Sequence, residues 1–62
     1  MPVVTVETPA LAAAVKRALI TSLTRAAAEA TGYPEASFIV IIRETPADAI
    51  GIGGVPLSER RG

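Results

Sequence analysis

Phe38-Ile39-Val40-Ile41-Ile42 is a run of five apolar residues, four of them β-branched. Such side chains favour extended, pleated backbone. A strand with one wet face would place a polar residue at every second position. This one places none, which predicts burial on both faces, as in a parallel strand lying under a helix. A parallel neighbour has to be reached through a long crossover, and the residues upstream supply one. Val3-Val4-Thr5-Val6 is a second β-branched run and reads as the partner strand. Between the two, Leu11, Val15, Leu19, Leu23, Ala26 or Ala27, and Ala30 recur at spacings of three and four. That spacing draws one apolar stripe on a helix, with Lys16, Arg17, Thr24, Arg25 and Glu29 mostly off it. Thr8 and Pro9 suit the N-cap and the first helical position. Gly32 suits the left-handed residue that closes a helix, Tyr33 can pack back as the hydrophobe after it, and Pro34 forbids continuation. The helix is therefore placed from residue 9 or 10 to residue 31. Strand, long helix, strand is a β-α-β unit with a right-handed crossover.

Beyond Thr45 the chain is punctuated by Pro46, Gly51, Gly53, Gly54 and Pro56. It reads as a loop, a short hairpin or edge strand around Ile50–Val55, and a polar tail over residues 58–62. The expected class is α/β (α+β), with residues 1–62 forming a single domain.

Composition narrows the functions open to such a unit. The 62 residues contain no Cys and no His, which removes disulfides, the commonest transition-metal ligands and every Ser-His or Cys-His nucleophile pair. Six Lys and Arg balance six Asp and Glu, so neither nucleic acid nor an anionic membrane is an expected partner. Half of the residues are hydrophobic, yet Tyr33 and Phe38 are the only aromatics. No apolar run approaches the ~20 residues needed to span a bilayer, and Glu7 and Pro9 interrupt the only candidate for a signal peptide. A cytoplasmic protein is expected. One helix covers one face of a two-stranded sheet, and nothing in the chain covers the other. Sheets this small are marginal alone, so the pattern calls for copies of the chain to finish the core.

Few reactive groups remain. Glu7, Glu29, Glu35, Glu44, Asp48 and Glu59 form no metal-binding or acid-base motif and read as solvated surface charge. Gly51-Ile52-Gly53-Gly54 lacks the Lys-Ser/Thr of a phosphate loop and opens no helix. Its glycines read as tight-turn backbone with positive φ. Pro2 stands apart. Trimming of the initiator Met is usual before a small residue, and it would leave proline as a secondary amine fixed at the start of a strand. Burial or a nearby cation would lower the pKa of that amine towards neutrality and make it a general base. Met-Pro alone is a common beginning and carries little weight.

The chain as a whole carries more. Met1-Pro2 opening a Val-rich strand, a helix of about twenty residues, Pro34, Ile39-Val40-Ile41-Ile42-Arg43-Glu44 and Gly51-Ile52-Gly53-Gly54 together resemble the 4-oxalocrotonate tautomerase family over residues 2 to 57. The resemblance implies a β-α-β unit with a C-terminal hairpin, pairing into dimers, with three dimers forming a homohexamer. It implies that Pro2 is the general base and that Ile50 replaces the family's aromatic pocket wall. Leu11 and Ile39 stand where the best-studied members carry arginines that grip substrate carboxylates. Arg43 shares strand parity with Ile39 and is the candidate replacement; as an ordinary strand-end charge it would pair with Glu44 or Asp48. Lys16 and Arg17 read as surface residues.

The function these features imply is keto-enol tautomerisation of a 2-hydroxydienoate or related enol or 2-oxo acid, as in aromatic catabolism, by an isomerase without metal or cofactor. The alternative is a non-catalytic scaffold, or a partner subunit of a hetero-oligomer whose sister chain supplies the missing arginines.

Overall fold

The β-branched runs form the two strands of a parallel ladder in the computed structural model, which describes residues 1–60. Strand β1 spans Val3–Thr8 and β2 spans Ile39–Glu44. Their register runs from Val3 opposite Ile39 to Thr8 opposite Glu44. The ladder is extended at both ends: the Ile39 N–H donates to the Pro2 carbonyl at 3.0 Å, and the Thr45 N–H to the Thr8 carbonyl at 2.9 Å. Helix α1, Ala13–Thr31, crosses between them and packs on β2. The chain is a β-α-β unit followed by a short hairpin, as the sequence predicts. No helix among the described residues is long and apolar enough to cross a membrane.

The helix begins later than expected. Thr8 is the last residue of the ladder, Pro9 lies in the following loop, and Ala12 occupies the N-cap with no side-chain hydrogen bond. Pairing of Thr8 with Glu44 takes precedence over capping, and residues 9–12 are consumed in lifting the chain onto the sheet. A carboxylate from the neighbouring strand does the anchoring that no local side chain provides. Glu44 accepts from the Leu11 N–H through Oε2 and from Lys16 Nζ through Oε1, both at 2.9 Å. A negative charge at this end of a helix is also favoured by the helix dipole. At the other end the expectation holds: Gly32 is left-handed at φ 79°, and its N–H reaches the Ala28 carbonyl at 2.9 Å.

The covered stripe of the helix consists of Lys16, Leu19, Leu23, Thr24, Ala27 and Ala28, all half-buried. Val15 and Ala30, placed on the stripe by spacing, are exposed instead, and of the alternatives Ala26 and Ala27 it is Ala27 that the sheet covers. The later helix start does not alter the period, but the sheet meets the helix slightly around its circumference from where the apolar spacing alone would put it. Across the sheet, Val4, Val6, Val40 and Ile42 are half-buried beneath the helix. Val3, Thr5, Glu7, Ile39, Ile41 and Arg43 project from the opposite face and are exposed. The second face of the Ile39–Ile42 run is thus apolar and bare. No described residue is fully buried. The radius of gyration is 14.6 Å, against roughly 11 Å for a compact chain of this length.

Strands β3 (Gly51–Ile52) and β4 (Val55–Pro56) form the antiparallel hairpin, with Ile52 opposite Val55. Gly53 and Gly54 have φ of 61° and 87°, the pair of positive values that a two-residue hairpin turn requires. The Leu57 N–H donates to the Ile50 carbonyl at 2.7 Å. Leu57–Glu59 is a 3-10 turn, closed by the Arg60 N–H on the Leu57 carbonyl. Ser58 and Glu59 are therefore structured rather than part of a loose tail, and residues 61 and 62 lie outside those described.

Candidate active site

A parallel ladder places the starts of its two strands side by side. Whatever precedes β2 must therefore return to the start of β1, where Pro2 lies. Gly32 turns the chain out of α1, and Glu35–Ser37 forms a 3-10 turn in which the Ser37 N–H donates to the Pro34 carbonyl at 3.0 Å. This brings Tyr33 and Ser37 to Pro2. The three residues and Met1 line an open cleft of about 560 Å³. Pro2 is half-buried, and its carbonyl is held by the Ile39 N–H. Its nitrogen is acylated by Met1, a residue 88% exposed that lies over the cleft. The Tyr33 ring leans on Phe38, with centroids 6.5 Å apart and planes tilted by 48°.

A second cleft, of about 500 Å³, lies at the opposite end of the ladder. Its lining includes Glu7, Thr8, Pro9, Thr45 and Ile50. Arg43 sits in register with Glu7 on the bare sheet face. Leu11 is half-buried in the β1–α1 loop, where Glu44 holds its N–H. The hydrogen bond from Lys16, followed by that from the Leu11 N–H, draws the Glu44 carboxyl below its usual pKa. Lys16–Glu44 is the one ion pair among the described residues. Lys16 is thus engaged rather than free at the surface, and Glu44 is the partner of Lys16, not of Arg43.

The sequence-derived residues therefore fall into two groups. Pro2 and Ile39 meet at the amino end, where the Ile39 N–H donates to the Pro2 carbonyl. Leu11, Arg43 and Ile50 lie towards the carboxyl end without being brought together, Arg43 on the bare sheet face, Leu11 in the β1–α1 loop and Ile50 in the second cleft. Thr8 lies six positions along the strand from Pro2, about 20 Å at ~3.3 Å per residue. Among the described residues of one chain, Pro2 lines the first cleft and Ile50 the second, and neither cleft contains both. Tyr33 and Ser37 were not singled out for chemistry by sequence reasoning. Their positions just before β2 in a parallel β-α-β unit were the available signal. The Lys16–Glu44 contact had none, since it depends on where the loop over residues 9–12 lands.

A tautomerase-enzyme family model matches residues 2–60, and the chain belongs to that family. A probable tautomerase of Ralstonia nicotianae is 54% identical over 43 residues, covering 69% of this chain and 61% of the relative, so the match spans about three fifths of that protein. Among solved structures, TomN, a 4-oxalocrotonate tautomerase homologue of the tomaymycin biosynthetic pathway, superposes with a TM-score of 0.90. It shares 33% identity over 95% of this chain and 92% of its own. A heterohexamer 4-oxalocrotonate tautomerase from Chloroflexus aurantiacus also gives 0.90, at 29% identity over 98% of this chain and 100% of its own.

Proposed function

We propose that the chain, once Met1 is removed, is a cofactor-independent tautomerase that uses the Pro2 amine as general base on an enol or 2-oxo acid. The observation that carries this reading is the position of Pro2, locked by its carbonyl at the head of the ladder with its nitrogen at an open cleft. Free of Met1, the nitrogen has a basic lone pair; acylated by Met1, it is an amide and has none. The amine takes a proton from the substrate oxygen or carbon and returns it at a conjugated carbon. Ile50 and the carboxyl-end cleft complete the site from a neighbouring copy, because their own Pro2 is too far away. The bare face of Val3, Ile39 and Ile41 supplies the apolar surface for such an assembly, which we take to be a homohexamer. The deciding experiment compares chain shown by mass spectrometry to begin at Pro2 with chain carrying an uncleaved N-terminal extension, on 2-hydroxymuconate and phenylenolpyruvate. Turnover is expected only from the former. Equal rates would eliminate Pro2 as the base.

A second reading is favoured by the uncharged Leu11 and Ile39 and by the heterohexameric relative. In it, this chain is one of two subunit types, and a sister chain contributes the cations. The purified chain would then be silent alone and active only after mixing.

A further inference from the structure

The amino-end cleft has no charged side chain among its described lining residues. Among those described lining residues, the side chains able to donate a hydrogen bond to a substrate oxygen are those of Tyr33 and Ser37. Tyr33 is 57% exposed and so serves little as a core residue. The residue after a left-handed helix stop commonly packs back on the helix; here the ring leans on Phe38, and the residue lines the cleft with Pro2. Its backbone is fixed by the Gly32 turn and by its own N–H, which donates to Thr31 Oγ1 at 3.2 Å. Among the described residues its hydroxyl makes no hydrogen bond within the chain.

We propose that Tyr33 is a catalytic residue whose phenol O–H donates a hydrogen bond to the carbonyl oxygen of a 2-oxo acid or related enolisable ketone at the Pro2 cleft. This rests on the reading of Pro2 as the base. The Pro2 nitrogen removes a proton from the carbon beside the carbonyl. The C–H electron pair becomes the new C=C bond, and the carbonyl π pair moves onto oxygen. Tyr33 stabilises that oxyanion without giving up its proton. The protonated amine then delivers its proton to the oxygen or to the far conjugated carbon and is restored. A neutral donor matches a carbonyl whose charge develops only during reaction, which is where a fixed hydrogen bond accelerates the chemistry.

Two measurements on the Pro2-terminated protein test this. Tyr33→Phe keeps the ring against Phe38 and removes only the hydroxyl. With a monoacid enol, kcat is expected to fall about tenfold or more, with KM changing less and with unchanged circular dichroism and assembly mass. The chain has one Tyr and no Trp, so its intrinsic fluorescence reports this residue alone. Titration with 2-oxobutanoate is expected to change that fluorescence saturably. An unaltered kcat in Tyr33→Phe, or flat fluorescence through the titration, overturns the assignment. A wild-type chain with no enol turnover but a saturable fluorescence change would instead defeat the tautomerase reading and leave Tyr33 as a ligand-binding residue.

Discussion

Ile41→Asp is expected to dismantle the assembly and, with it, the fold. Ile41 lies on the bare sheet face opposite Thr5. Compact monomers of 6.3 kDa expose about 3,700 Å² by the usual mass scaling, whereas this chain exposes 4635 Å². The surplus is about 900 Å² per chain, and pairing two copies through it would remove about 1,800 Å², the size of a stable interface. Burying an Ile side chain contributes about 1.5–3 kcal/mol, and moving a carboxylate out of water costs several more. The substitution therefore costs roughly 5 kcal/mol or more per chain, comparable to the lower end of a domain's entire stability. Sedimentation equilibrium with far-ultraviolet circular dichroism at micromolar concentration provides the assay. Wild type is expected as a folded oligomer and Ile41→Asp as a largely unfolded monomer. Ala14→Asp, on an exposed position of the helix, should match wild type. A wild type that is itself a stable monomer, or an Ile41→Asp chain that stays folded at wild-type mass, would refute the reasoning.

Three further outcomes are expected. The Glu44 carboxyl is held below its ordinary pKa of 4.5, chiefly by Lys16; its contribution to stability is thus complete above about pH 4.5 and lost as pH falls through the folded-state value. The gap in Tm between wild type and Glu44→Gln should close on acidification, and a constant gap down to about pH 3 would contradict the contact. Gly54 has φ 87° with nothing within 4 Å of where a Cβ would sit, so Gly54→Ala should cost about 1–2 kcal/mol through backbone strain alone. Thermal melts should show a loss of roughly 4–8 °C per kcal/mol, while Gly51→Ala, which has no positive φ and meets only the Val55 carbonyl oxygen at 4.0 Å, is nearly silent. Dicarboxylate enols should turn over slowly beside monoacids, since Leu11 and Ile39 bring no charge. If Arg43 compensates with a charge-assisted hydrogen bond of about 1.5–3 kcal/mol, Arg43→Ala lowers kcat/KM for 2-hydroxymuconate by about tenfold or more; a brisk rate indifferent to that change would show that another group holds the carboxylates.

The β-α-β topology was legible because β-branched runs and a stop made of Gly32 and Pro34 act locally. The Gly53-Gly54 turn was legible for the same reason, its backbone requirement being met by the glycines themselves. Helix onset was not, since Thr8 had two uses open to it, as a cap or as a ladder residue, and only the register with Glu44 decides between them. The misplacement of Val15 has a related cause: spacing finds an apolar stripe but not the angle at which a sheet meets it. The place of Pro2 at the start of β1 followed from the β-branched run that it precedes, while the role of base proposed for it rests on the family resemblance. That Tyr33 comes to Pro2 could not be read, because its ring reads equally well as the hydrophobe that closes a helix, and the cleft that both line forms only when the crossover is folded.

The separation of Pro2 from Ile50 by the length of the ladder has a genetic consequence. If each working site takes its base from one copy and its apolar wall from another, two crippled alleles can rescue one another. Chains lacking the Pro2 amine and chains bearing a charge at Ile50 would each be inactive alone. Co-assembled, some of their mixed sites would hold both intact halves, and activity would return in proportion to the statistics of mixing.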